Sequence, residues 1–248
     1  MKTAIAKTAN RTKVSLAVLA VAILTGVVLL PCGPASDTGP VMAERPVVMP
    51  DGTKLFVQKY EVSVAEWNAC HDAGACNLAL RVSGNMTETE MPATGLSYVD
   101  VSEYLAWINA QTGHVFRLPR IAEWEYMAAE VLPKAPDPIF TDPELSWASA
   151  YLMEPQTKRT LRPIGTFAST SQGIVDLNGS VWEWTQDCFA GATEGPINPD
   201  RCPAFFVGGE HIAAMSFLIR DPARGGCAVG TPPAHLGMRL VSDQPRAT

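Results

Sequence analysis

Four side chains that could do chemistry lie close together near the C-terminal end of the sequence. They offer a carboxylate, an imidazole, a hydroxyl and a cation within eleven residues: Glu210, His211, Ser216 and Arg220. A pocket that gathered these groups could support catalysis. We predict them as candidate catalytic residues, with the alternative that they only line a binding surface.

The remaining reactive side chains give weaker signals. Glu123 and Glu125 are two residues apart on a predicted helix and point to different faces, so they cannot act together as an acid–base pair. We expect Glu123 to pair with Arg117 instead. The histidines, of which only His211 adjoins other candidates, lack the spacing of a metal-binding motif: His71, His114, His211 and His235.

The N-terminus differs in charge from the rest of the chain. The 248-residue protein has a formal net charge of −6, whereas residues 1–31 hold four cations and no acid. Residues 14–30 are almost wholly apolar, which predicts an export signal or a short membrane anchor with the body outside the cytoplasm. We favour a retained anchor over cleavage after Ala35 or Ala43. The acidic body argues against binding to nucleic acid.

Residues 32–50 are rich in proline and glycine and are predicted to be a tether between the anchor, residues 1–31, and a domain formed by residues 51–248. Export makes the six cysteines candidates for disulfides. The pairs expected from short or glycine- and proline-rich intervening loops are Cys70 with Cys76 and Cys188 with Cys202; six free thiols are the alternative.

Apolar spacing predicts a strand with Leu55 and Val57, followed by a helix that starts at the capping box Ser63–Glu66. A second helix starts near Ser97 or Asp100 and stops at Gly113, and a third spans residues 121–130 with Trp124, Met127 and Ala128 facing inward. Prolines between residues 133 and 163 predict long loops.

Four segments, in this order, carry a resemblance to a known family. Tyr60–Ser63 reads YEVS, Phe116–Tyr126 reads FRLPRIAEWEY, Gly173–Trp184 reads GIVDLNGSVWEW, and Leu236–Leu240 reads LGMRL. Residues 45–243 thereby resemble the formylglycine-generating enzyme, or sulfatase-modifying factor, domain. The resemblance implies an α+β, C-type-lectin-like fold with few helices, short strands and long loops.

The family's oxidases carry two copper-binding cysteines shortly after a Gly-Gly-Ser sequence. Here Gly208-Gly209 is followed by Glu210, and Ala213 and Leu218 stand where those cysteines would be. Alanine and leucine cannot bind cuprous ion, so we do not expect copper chemistry.

The resemblance also implies a structural calcium held by Glu183 with backbone oxygens near Ser180 and Val181. Ser180 replaces the asparagine that is usual at its position, and this removes one preferred ligand. Exposed Trp182 and Trp184 flanking Glu183 could alternatively form a platform for a sugar.

The leading hypothesis is a membrane-tethered domain in the cell envelope that binds or matures a peptide or protein partner. The second is an oxidoreductase of the same family that acts on a peptide or peptide-derived substrate through a different centre, such as non-haem iron. The third is a formylglycine-generating oxidase that uses Cys227 after a rearrangement.

Overall fold

The computed structural model describes residues 39–133, 139–142, 145, 160–189, 202–221, 226–227 and 235–246. Its helices are α1 (Val64–Asp72), α2 (Tyr98–Thr112) and α3 (Ile121–Ala128). Its strands are β1 (Val47–Val48), β2 (Lys54–Val57), β3 (Trp182–Cys188), β4 (Ala204–Gly208), β5 (Ile212–Ser216), β6 (Gly226–Cys227), β7 (Leu236–Gly237) and β8 (Val241–Ser242).

The strands form two small sheets. The first has the order β1-β2-β8 and the second has the order β6-β5-β4-β3-β7. All pairs in the two sheets are antiparallel except β3 with β7, which is parallel. Few helices, short strands and long connections make this an α+β fold, as the sequence predicts.

The helix boundaries follow from local capping. Ser63 and Glu66 form the predicted capping box at α1. Ser97 and Asp100 form a second box at α2, which ends at Gly113 with a φ of 63°, a left-handed conformation that glycine adopts without strain. Helix α3 ends two residues before the predicted end, at Ala128.

The core is built from large aromatic side chains on the helices and on β3. Trp67 of α1 stacks on Tyr104 of α2 with ring centroids 5.4 Å apart. Trp184 of β3 is fully buried and donates its indole N–H to the carbonyl of Leu96, just before α2. The inward face of α3 consists of Trp124, Met127 and Ala128, as predicted.

Both predicted disulfides are present. Cys70 pairs with Cys76 and holds the loop after α1 against the core. Cys188 pairs with Cys202 and joins the end of β3 to the residues before β4. Cross-links of this kind reduce the conformational entropy of the unfolded chain.

Part of the segment that the sequence analysis assigns to the tether pairs with β2. Val47 and Val48, assigned to the tether, pair with Leu55 and Lys54 of β2, and Met42 forms a bridge with Gln58. β1 has only two residues, and only Val47 is buried. So short an apolar stretch does not predict a strand from the sequence.

No helix in the described ranges is long and apolar enough to cross a membrane. The predicted anchor, residues 14–30, lies outside the described residues.

We predict that Ser97→Ala lowers the free energy of unfolding by about 1 kcal/mol, a usual value for loss of an N-cap. The buried Ser97 hydroxyl accepts a hydrogen bond from the Asp100 amide and donates one of 2.6 Å to the Asp100 carboxylate. Ser102→Ala on the exposed face of α2 is the matched control, since its hydroxyl only donates back to the Tyr98 carbonyl. Urea denaturation monitored by tryptophan fluorescence measures both; equal losses would contradict the capping role.

Candidate functional site

The centre of the domain contains a fully buried arginine. Arg239 has no exposed side-chain surface, and every N–H of its guanidinium has an acceptor. Two donors reach Glu183 Oε1, at 3.0 Å from Nε and 2.8 Å from Nη2, and the others reach the carbonyls of Gln58, Lys59 and Val175. A charge buried in this way must be paired and hydrogen-bonded to be tolerated.

Glu183 connects this arginine to α3. Its Oε2 accepts a hydrogen bond of 2.9 Å from the indole N–H of Trp124. Glu183 therefore uses both oxygens on partners inside the protein, and its side chain is almost fully buried.

These contacts do not fit the calcium site that the resemblance implied. A calcium ion at Glu183 would have to compete with the guanidinium of Arg239 for the same carboxylate oxygens. The hydroxyl of Ser180 accepts a hydrogen bond from the Arg162 amide, and Val181 is buried in the core. Glu183 is one half of an internal ion pair, and Trp182 and Trp184 are buried beside it instead of forming a sugar platform. The calcium site stays a prediction.

A second buried carboxyl lies beside the pair. Glu61 is 2% exposed, and its Oε2 lies 3.8 Å from Arg239 Nη2 without a hydrogen bond in the described part of the chain. Burial raises the pKa of Glu61 to about 8, although Arg239 acts in the opposite direction. The raised pKa favours the protonated form of Glu61 in the folded state, and Glu183 is the carboxylate that Arg239 contacts directly, at 2.8 Å.

The Gly-Gly sequence at the end of β4 accommodates two tryptophans. A Cβ at Gly208 would lie 2.2 Å from the ring of Trp124, and one at Gly209 would lie 2.3 Å from the ring of Trp182. Only glycine permits both approaches, so this turn is fixed in place by packing.

The structure does not bring the four candidate catalytic residues into one centre. Glu210 and His211 precede β5, whereas Ser216 ends it and Arg220 follows it. At about 3.3 Å per residue the extended strand separates His211 from Ser216 by roughly 17 Å. The ring of His211 meets Trp182 edge-on at 4.5 Å, at the other end of β5 from Arg220.

Arg220 has a structural partner that the sequence did not reveal. Its guanidinium binds Asp100 in a fork, with distances of 2.8 Å from Nε and 2.7 Å from Nη2. Hydrogen bonds from Arg220 and Ser97 hold the pKa of Asp100 below its usual value, against the effect of burial. This bond attaches the segment after β5 to the N-terminus of α2.

Ala213 and Leu218, which the resemblance places at the positions of the family's copper ligands, differ in exposure. Ala213 lies opposite Val207 in the sheet, and both are buried in the core. Leu218 is 64% exposed. The amide of Tyr98 donates to the Phe217 carbonyl at 3.0 Å, so Leu218 is held next to the start of α2, where Val99 is also 41% exposed.

The described residues contain no group of three histidine, cysteine or acidic side chains that could hold a metal ion. His71 lies in the last turn of α1, and His114 Nε2 is 2.8 Å from the Ser242 hydroxyl. The predicted use of iron stays a prediction, as does the role of Cys227, whose side chain is not described.

Comparison with known proteins agrees with this architecture. The model of the sulfatase-modifying factor enzyme 1-like domain family matches residues 18–244. The formylglycine-generating enzyme of Mycobacterium tuberculosis is 24% identical over 188 residues, which cover 61% of this chain and 57% of that protein. This chain thus spans just over half the length of that relative.

Among solved structures, PvdO from Pseudomonas aeruginosa superposes with a TM-score of 0.52 at 16% sequence identity. The match covers 84% of this chain and 95% of PvdO. Similarity at this level of identity establishes a shared fold.

We predict that the free energy of unfolding of the Glu61→Gln variant falls less with rising pH than that of the wild type. The native state retains a proton on Glu61 up to about pH 8, whereas the unfolded state releases it near 4.5. The stabilisation from this proton is complete below pH 4.5 and is lost as the pH rises towards 8, by at most about 1.4 kcal/mol per pH unit.

Denaturation of the wild type and of Glu61→Gln at pH 5, 6, 7 and 8 measures this effect. The stability of the variant relative to the wild type should increase along the series. Glu125→Gln, on the exposed side of α3, is the control and should follow the wild type. Parallel curves for all three proteins would show that Glu61 is ionised in the native state.

Proposed function

This chain belongs to the sulfatase-modifying factor enzyme 1-like domain family, and we propose that it acts there as an accessory or maturation protein that binds a peptide or protein partner. In this role it does not perform copper-dependent cysteine oxidation. The observation that carries the proposal is the replacement of both copper ligands by Ala213 and Leu218 in an otherwise intact scaffold.

The loss of the thiols is accompanied by a well-packed local structure. Ala213 is 4% exposed and forms part of the core. Leu218 is held by the contacts of its neighbours, Phe217 and Arg220, with the start of α2. Exposed aliphatic side chains such as Leu218 and Val99 suit binding better than redox chemistry.

The surface that we assign to the partner is centred on Leu218 and Val99 and is called here the β5–α2 surface. Two ordered contacts flank it: the Tyr98 amide to the Phe217 carbonyl, and Arg220 to Asp100. Because both contacts exist before a partner arrives, little conformational entropy would be lost on binding.

The location that fits this role is the extracytoplasmic side of the cell envelope. Residues 14–30 provide the length and apolar character of a short anchor, and the two disulfides require an oxidising compartment to form. The partner would belong to the same compartment.

The first test measures copper chemistry directly. The full chain is reconstituted with cuprous ion in air and incubated with cysteine-containing peptides, and the products are examined by mass spectrometry for conversion of cysteine to an aldehyde. We expect no conversion, with a copper-loaded formylglycine-generating enzyme as the positive control. Turnover by this chain would contradict the proposal and support the oxidase alternative.

The second test concerns the β5–α2 surface. Peptides selected from a display library for binding to the full chain should lose affinity about tenfold or more with Leu218→Asp or Val99→Asp, since a charge placed on an apolar contact must be desolvated. Val48→Asp on β1, where Val48 is 54% exposed, is the matched control and should bind as the wild type does. Selected peptides that bind Leu218→Asp unchanged would place the partner elsewhere.

A further inference from the structure

A polar cleft lies between the β1–β2 turn, the start of α3 and the residue that follows β8. Its volume is about 720 Å³, within the range of small-molecule sites. The residues that line it are Met49, Pro50, Asp51, Thr53, Lys54, Arg117, Arg120, Glu123 and Asp243. None of them belongs to the β5–α2 surface.

One wall of the cleft is fixed by Arg117. Its guanidinium donates to both oxygens of Glu123 at 2.7 and 2.8 Å, to both oxygens of Asp243 at 2.6 and 3.3 Å, and to the Leu118 carbonyl at 3.1 Å. These bonds use all five of its N–H groups. Arg117 therefore has no donor left for a ligand, and it serves to orient the two carboxylates.

Two other cations at the cleft are not used in this way. Lys54 on β2 and Arg120 before α3 are both exposed, and neither forms an ion pair within 4.0 Å in the described part of the chain. Arg120 nevertheless contributes, after Arg117, to holding the pKa of Asp243 below its usual value. Arg120 therefore acts on Asp243 through its charge, without a direct ion pair in the described part of the chain.

Arg117 is paired with Glu123 and Asp243, whereas Lys54, Arg120 and Asp51 form no ion pair in the described part of the chain. Three cations and three carboxylates line it, so a ligand with charge of one sign would be attracted by one set and repelled by the other. A ligand that carries both signs can satisfy both sets. The separation of Lys54 and Arg120 from the carboxylates provides the space for such a ligand.

We propose that this cleft binds a short zwitterionic peptide with free termini. The α-carboxylate lies against Arg120 and Lys54, and the α-ammonium faces Asp51 and Asp243. One oxygen of Asp51 already accepts two hydrogen bonds from Thr53, at 2.9 and 2.7 Å, which holds its carboxylate at the rim. Met49 lines the same cleft and offers an apolar contact for a side chain.

This inference does not depend on the proposed partner-binding role, because the cleft uses different elements of the fold. Loss of binding at the β5–α2 surface would leave the cleft unchanged. The two proposals are therefore tested by separate variants.

The test is calorimetric titration of the full chain with the dipeptide Ala-Ala. N-acetyl-Ala-Ala removes the ammonium and Ala-Ala amide removes the carboxylate; we expect each to bind about tenfold more weakly, as for the loss of one contact of about 1.4 kcal/mol. Arg120→Gln and Lys54→Gln should weaken binding of Ala-Ala to a similar extent. Arg81→Gln, which alters an exposed cation outside the cleft, is the control and should bind as the wild type does.

Both cleft variants change exposed side chains without ion pairs, so thermal unfolding should show that they fold normally. Three results would each overturn the proposal: no saturable binding of Ala-Ala up to about 10 mM, equal affinity for the capped peptides, or equal binding by folded Arg120→Gln and wild type. Weaker binding by the capped peptides and by both cleft variants, with Arg81→Gln unaffected, would support it.

Discussion

The burial of one cation determines how the rest of the domain is arranged. Arg239 is fully enclosed, and its acceptors come from the end of β2, from Val175, and from β3 through Glu183. Removing Glu183 would leave the buried positive charge without its hydrogen-bonded carboxylate, which costs several kcal/mol. Because Glu183 also binds the indole of Trp124, the same interaction fixes α3. The most recognisable segments of the sequence are thus those that meet at this arginine.

The internal ion pair and the segment of Ala213 and Leu218 are separate parts of the structure. The Arg239–Glu183 pair and the tryptophans that approach Gly208 and Gly209 use no atom of the two positions where the family's oxidases have cysteines. An alanine at 213 fits in the core opposite Val207. The fold therefore has no requirement for copper-binding thiols and can support a different role.

Local features were predictable from the sequence, whereas distant contacts were not. The capping box at Ser63 involves residues three apart, and the ion pair of Arg117 with Glu123 involves residues six apart; the structure confirms both. Of the two predicted starts of α2, Ser97 is the N-cap. The bonds of Arg220 with Asp100 and of Arg117 with Asp243 join residues 120 and 126 apart. Sequence spacing cannot predict such ion pairs, because their residues become neighbours only when the chain folds. This is also why four plausible catalytic residues that are close in sequence are spread along an extended strand.

The Cys188–Cys202 disulfide has a consequence for how this protein can change. It joins the end of β3 to the residues before β4 by a covalent bond, so the pairing of these strands does not depend on the residues that connect them. Doubling the length of a flexible connection adds only about 0.6 kcal/mol of closure entropy. The fold should therefore tolerate insertions and substitutions between the two cysteines. The sequence between them can change during evolution while the domain around it keeps its structure.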